Sequence, residues 1–265
     1  MERTYGFIGC GNMGGTLAAC AAKAAGGSCI LVNDRDADKA LALQKEWGAR
    51  PVEITELAER CDMIFLGVKP QMMEDMLGEI KDVLAGRGDR FVLVSMAAGL
   101  SVSDIKRMAG DWPVIRIMPN LAASVGEGMI LYCSEGAEAE ELEEFCDLMR
   151  FAGKLSPLEE RLIDAASAVS GCGPAFVCMF VEALADGAVS CGLPRAQAML
   201  YALQTLIGTA KVLMETGRHP GDLKDAVCSP GGTTIEGVLT LEDAGFRSAV
   251  SEAVIAAYEK TLKLK

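Results

Sequence analysis

Near its C-terminus the chain reads Ser229-Pro230-Gly231-Gly232-Thr233-Thr234 and then enters an apolar-periodic segment carrying Ile235, Val238 and Leu239. Two glycines and two hydroxyls at a helix start leave backbone N–H groups exposed, and such a helix end binds carboxylate or phosphate. A second glycine-rich turn, Gly9-Cys10-Gly11-Asn12-Met13-Gly14, lies at the other end of the chain. Two anion-binding turns in one chain predict two ligands, a cofactor and a small acidic substrate.

The first turn has the context of a dinucleotide site: a strand-like run before it, a helical pattern after it, and Asp34 at the end of the next apolar run. Gly9 permits the tight turn, Gly11 admits the pyrophosphate, and Gly14 allows close helix–strand packing. Cys10, Asn12 and Met13 complete the cofactor-facing turn. The stretch Asn33-Asp34-Arg35-Asp36 meets the adenosine ribose. There Asp34 suits a 2′-hydroxyl and NADH, whereas Arg35 suits the 2′-phosphate of NADPH. The two cues oppose each other, so the choice of coenzyme stays open.

Three further loops follow strand-like runs, where open α/β sheets bind ligands. They are Val68-Lys69-Pro70, the segment Ser95–Gly99 with Ala97 and Ala98, and Met118-Pro119-Asn120. Small residues in the second would let a nicotinamide lie against the backbone. Asn120 offers an amide side chain, or serves as a turn residue.

In the second motif Thr233 and Glu236 have capping-box spacing, so Thr233 reads either as a helix N-cap or as a ligand contact. Thr234 is left free for a ligand. His219, in a turn-forming Arg-His-Pro-Gly sequence, reads as structural. Glu182 and Asp186 share a solvated helix face. The ten cysteines lack metal-site spacing, and His219 is the only histidine. No metal site is expected, and the thiols read as reduced small hydrophobes, with Cys10, Cys20, Cys178 and Cys228 in apolar surroundings.

Short apolar runs alternate with helical patterns over residues 1–153: Tyr5–Ile8, Cys29–Asn33, Met63–Val68, Phe91–Met96, Val114–Met118 and Met129–Cys133. That pattern predicts an α/β fold, a Rossmann-like, doubly wound, mostly parallel sheet. From 154 to 265 strand-like runs give way to helices at Pro174–Cys191, Pro194–Thr216, Asp222–Val227, Thr233–Glu242 and Phe246–Leu264. Pro174 and Pro194 fit first helical turns. The helix 194–216 is apolar nearly all round, which predicts burial on every side, in a subunit interface or in a monomer core.

Half of the 265 residues are apolar, enough for a substantial core without disulfides, and the net charge of −12 argues against nucleic acid. The N-terminus has no signal-peptide pattern, and the uncharged stretch Ala196–Ala210 is too short to span a bilayer. A cytoplasmic protein without a membrane partner is the expectation.

The motifs together resemble the pyrroline-5-carboxylate reductase family over essentially the whole chain. They are Phe7–Gly14, Val68-Lys69-Pro70, Ala97-Ala98-Gly99, Met118-Pro119-Asn120, Ser170-Gly171-Cys172-Gly173-Pro174-Ala175-Phe176 and Asp225–Thr234. The resemblance implies NADPH- or NADH-dependent reduction of the cyclic imine 1-pyrroline-5-carboxylate to L-proline, the last step of proline synthesis. It implies that Ser229, Gly231, Gly232, Thr233 and Thr234 hold the substrate, its carboxylate on the amides of 231–233, with Thr234 Oγ at the ring nitrogen as the catalytic contact. It also implies homodimers built through helical domains, or larger assemblies such as decamers. The chain departs from the family pattern at Leu121-Ala122, where Thr-Pro is common, and at Cys172, where serine is common. It departs again at Asp34-Arg35-Asp36, where Asn-Arg-Ser or Asn-Arg-Thr is frequent. The competing readings are another imine reductase or β-hydroxyacid-dehydrogenase relative, with Lys211 or Lys224 as its lysine, and a dinucleotide-binding regulatory protein without catalysis.

Overall fold

Each apolar run in the first half alternates its side chains between two faces. Phe7 and Phe65 lie on one face of neighbouring strands, stacked with ring centroids 4.3 Å apart. Ile8, Ile64 and Leu66 lie on the other face, against Leu57, Leu77 and Ile80. Strands that bury both faces must be apolar throughout, which explains the unbroken runs. The structure is a computed structural model and describes residues 3–263.

The strands are β1 (Tyr5–Ile8), β2 (Ile30–Asn33), β3 (Arg50–Pro51), β4 (Met63–Leu66), β5 (Val92–Ser95), β6 (Val114–Met118), β7 (Gly128–Glu135) and β8 (Gly153–Pro157). Among the described residues they form one sheet in the order β3-β2-β1-β4-β5-β6-β7-β8. All neighbours run parallel except β6 and β7. The chain winds outward from β1 in both directions, which makes the β1/β4 crevice the switch point of the sheet.

Helices α1 (Asn12–Ala25), α2 (Ala37–Trp47), α3 (Ile54–Arg60), α4 (Met73–Gly86), α5 (Val102–Ala109), α6 (Ala139–Met149) and α7 (Glu160–Ser170) accompany the sheet. β3 and α3 are too short to declare themselves by period. β8 corrects the expectation that strands end near 153. It pairs with β7, and its Lys154 and Pro157 are exposed, so it lacks the apolar signature of a buried strand.

The compact unit runs to Gly171 and resumes at Tyr258; a second unit spans Cys172–Ala257. The predicted boundary at 153/154 therefore falls at the start of β8. Charge joins apolar packing of Ile163 and Ala168 in anchoring α7 in the first unit. Arg116, in the middle of β6, is 2% exposed and donates to Asp164 Oδ1 at 3.0 Å and Glu160 Oε1 at 3.2 Å. Glu160 Oε1 also accepts from Val102 N at 2.7 Å, at the start of α5. Arg116 Nε has no hydrogen-bond partner among the described residues.

The second unit holds α8 (Gly173–Ser190), α9 (Arg195–Thr216), α10 (Pro220–Ala226), α11 (Thr233–Asp243) and most of α12 (Phe246–Leu262). Pro174 lies in the first turn of α8, whereas Pro194 is the N-cap of α9, one residue outside the expected position. A small core of Val181, Ala185, Ala198 and Ala202 joins α8 to α9. The rest of α9 is not buried within the chain: Leu200, Tyr201, Leu203, Ile207 and Met214 are all exposed. The helical run Glu160–Ser190 is long and apolar enough to cross a membrane. Its first part, however, carries Glu160 and Asp164 bound to Arg116 of the sheet.

Replacing Arg116 with leucine leaves the buried Asp164 carboxylate without its guanidinium. Loss of one partner of a buried pair costs about 3–5 kcal/mol, so Arg116→Leu is expected to lower the urea midpoint by that equivalent. A midpoint within experimental error of wild type contradicts this.

Candidate active site

The switch point is built from backbone packed on backbone. Gly67, just past β4, donates to Ile8 O at 2.7 Å, and Gly9 donates to Asn33 O at 2.8 Å. Gly9 has φ +93°, which favours glycine, and a Cβ there would meet Gly67 O at 2.7 Å. A Cβ on Gly14 would overlap Gly9 O, and one on Gly67 would lie 2.6 Å from that oxygen. Gly11, by contrast, has open space where its Cβ would be. Gly11 is the N-cap of α1 and makes no side-chain cap, so the first amides of α1 are left for a ligand. This cradle, with its open side at the helix start, fits a dinucleotide diphosphate.

A cleft of about 320 Å³ runs from this turn toward the end of β2. Gly9, Gly11, Asp34, Arg35, Val68 and Lys69 line it, all of them singled out in the sequence. Gly67, Ile54, Met72, Met76 and Glu79 line it too and were not foreseen. Gly67 had a readable signal, a glycine directly after a strand; Ile54 comes from α3, which the sequence did not show, while Met72 precedes α4 and Met76 and Glu79 lie on it, a helix the sequence placed at Gln71–Leu84 without marking these side chains as ligand contacts. Asp34 accepts from Cys10 N at 2.6 Å and from Asp36 N at 2.8 Å. Cys10 itself is buried, and its thiol donates to Asn33 O at 3.6 Å. Burial and the Asp34 charge push that thiol up to about 12, so it stays protonated.

The remaining cofactor candidates divide. Asn12 is exposed at the start of α1, while Met13 packs partly into the core. Pro70 opens a 3-10 turn, Pro70–Met72. Ala98 is exposed, but Ala97 is buried in the core beneath the sheet. Asn120 does not present a free amide. Its Nδ2 donates to Ser170 O at 2.8 Å and its Oδ1 accepts from Met129 N at 3.1 Å, tying the β6 loop to the end of α7.

In the second unit, Gly232 N donates to Ser229 O at 3.0 Å and Gly231 has φ +66°. That is a tight turn with Pro230 and Gly231 at its centre. α11 starts at Thr233 with Gly232 as N-cap and no side-chain cap bond. Two expectations need correction. Thr233 is the first helical residue, one position past the cap, so the Thr233–Glu236 capping box does not form. The Gly232 amide is spent inside the turn and is not a free donor. The open donors are Gly231 N and the first-turn amides of Thr233, Thr234 and Ile235. Both threonines are exposed, and neither hydroxyl is hydrogen-bonded among the described residues.

His219 caps α10, its Nδ1 accepting from Gly221 N at 3.1 Å. Asp186 pairs with Arg195 on α9 at 2.6 Å, and Lys224 pairs with Asp225. All ten cysteines are free thiols; Cys10 and Cys20 are buried as their apolar surroundings suggest, whereas Cys178 is exposed and Cys228 half-buried despite theirs. Among the described residues no cluster of His, Cys, Asp or Glu could hold a metal ion.

Residues 160–264 match the family model described as pyrroline-5-carboxylate reductase dimerisation. Residues 4–99 match that described as NADP oxidoreductase, coenzyme F420-dependent. The pyrroline-5-carboxylate reductase of Escherichia coli K12 is 43% identical over 100% of this chain and 99% of the relative. That of Synechocystis is 40% identical with the same coverage. Among solved structures, a pyrroline carboxylate reductase from Plasmodium falciparum with NADP bound superposes with a TM-score of 0.86 at 32% identity, covering 98% of both chains.

Proposed function

The chain belongs to the pyrroline-5-carboxylate reductase family, and on that premise we propose how its two glycine-rich helix ends divide the work. It is an NAD(P)H-dependent oxidoreductase acting on a C=N bond, reducing 1-pyrroline-5-carboxylate to L-proline in the last step of proline synthesis. The first unit is the dinucleotide-binding domain; the second binds substrate and joins subunits.

The uncapped start of α1 and the Gly9–Gly14 turn hold the coenzyme diphosphate, and Asp34 holds the adenosine ribose. When bound, the reduced nicotinamide supplies the hydride. The uncapped start of α11 holds the substrate carboxylate on Gly231 N, Thr233 N and Thr234 N, reinforced by the helix dipole. Ser229 supports this cradle by closing the turn through its carbonyl. Thr234 Oγ reaches the ring nitrogen. Protonation of the imine nitrogen occurs in water and makes the adjacent carbon electrophilic, so no strong general acid is required. Holding the two reacting carbons in contact supplies most of the acceleration. The observation that carries this reading is the α11 start, a glycine-built turn that leaves the amides of Gly231, Thr233 and Thr234 and both threonine hydroxyls unspent among the described residues.

The exposed apolar face of α8 and α9 is covered by a second copy of the chain. A single-chain patch of this kind marks an interaction surface, and it lies within the segment that matches the family's dimerisation model. The apolar run Glu160–Ser190 belongs to that assembly. The smallest unit is a homodimer, from which larger assemblies such as a decamer are built.

Two outcomes are expected. Thr234→Ala lowers turnover with pyrroline-5-carboxylate at least about tenfold, the scale of one ordinary hydrogen bond, while the thermal melt stays unchanged; a near wild-type rate removes Thr234 from the chemistry. Light scattering at micromolar concentration gives a mass that is a multiple of twice the 27.9 kDa chain; a monomer contradicts the interface.

A further inference from the structure

The turn after β2 carries opposed signals, an aspartate suited to a ribose hydroxyl and an arginine suited to a 2′-phosphate. Their contacts decide between them. We infer that this reductase selects NADH over NADPH and that Asp34 sets the preference. The inference rests on the proposed reading of the β1/β4 cleft as the coenzyme site.

Asp34 is the fixed group. Its side chain is 13% exposed, and its two oxygens are tied to different elements, Oδ2 to Cys10 N in the glycine turn and Oδ1 to Asp36 N at the start of α2. Rotation away from the cleft breaks one or both bonds. Each carboxylate oxygen keeps a second acceptor direction. A ribose hydroxyl can therefore donate to Asp34 without displacing either amide. A 2′-phosphate has the opposite effect: it brings a charge of about −1.5 to −2 to a carboxylate that cannot withdraw.

The cations of the cleft do not compensate. Arg35 lies 3.5 Å from Glu79. Lys39 lies 3.4 Å from Asp36 and 3.8 Å from Asp34. With Lys69, the cleft sets three cations against the three carboxylates of Asp34, Asp36 and Glu79. No net positive charge remains to attract a further phosphate. The Arg35–Glu79 pair is solvent-exposed and weak. Asp34 is the less exposed group and is held by two backbone amides, which is why the preference is assigned to that residue.

Fluorescence titration of the substrate-free protein with NADH and, separately, NADPH reads the two dissociation constants. Turnover with each coenzyme reads the same ratio in kcat/KM. The expected wild-type ratio favours NADH by at least about tenfold in both, because like charges in contact are costly. Asp34→Asn keeps an oxygen for Cys10 N–H and removes the charge. Asp36→Ser keeps a cap for α2 and removes another. Each is expected to shift the NADPH-to-NADH ratio upward by at least about fivefold in a protein that still melts cooperatively; Asp34→Asn gives up the bond to Asp36 N–H. If Asp34→Asn does not fold, the wild-type ratio and Asp36→Ser carry the test. Equal binding, or tighter NADPH binding, by wild type overturns the inference and leaves the cleft reading intact. An unchanged ratio in folded Asp34→Asn overturns the assignment to Asp34. Binding of neither coenzyme overturns the cleft reading and the inference together.

Discussion

The structure depends on one close approach, the backbone of the Gly9–Gly14 turn against the backbone of Gly67. A side chain at any of the three glycines would enter space held by a carbonyl or peptide carbon. Because the three positions are bare, α1 can start directly on top of the sheet at the point where the winding reverses. Its first amides then face the crevice and not a capping side chain. The direction of α1 and the location of the proposed coenzyme cleft both follow from that contact. The stacked Phe7 and Phe65 beneath it hold β1 and β4 in register.

The second unit repeats the device with different parts. Pro230 and Gly231 make the turn, Gly232 ends it, and α11 begins uncapped. In both units the unfilled cap is the feature on which the proposed binding site rests. An ordinary N-cap side chain would stabilise the helix by about 0.5–2 kcal/mol, and both helices forgo that contribution at the position where a ligand oxygen would sit. The second unit also has little core of its own, centred on Val181, Ala185, Ala198 and Ala202. Its exposed leucines and methionines account for its need of a second chain.

The sequence made the glycine turns, the central strands and the long helices legible, because each rests on local rules: a glycine that must be bare, a strand buried on both faces, a helix of apolar period. It left obscure what depends on remote partners. Arg116 sits in an apolar strand and gains its meaning from Glu160 and Asp164, more than forty positions on. Asn120 read as a possible ligand contact, but Ser170 and Met129 take up its amide. The capping box at Thr233 failed by a single residue, since Gly232 is the N-cap and the helix begins one position earlier than the spacing implied. β8 was missed because a strand with exposed positions carries no unbroken apolar run.

The proposed mechanism places the two ligands on two uncapped helix starts. Hydrogen exchange at short labelling times, measured on the intact protein with coenzyme and with L-proline, tests it most directly. Exchange is expected to slow over residues 11–14 on adding coenzyme and over residues 231–235 on adding proline with coenzyme present. Proline-dependent protection that leaves residues 231–235 unchanged and appears elsewhere would contradict it.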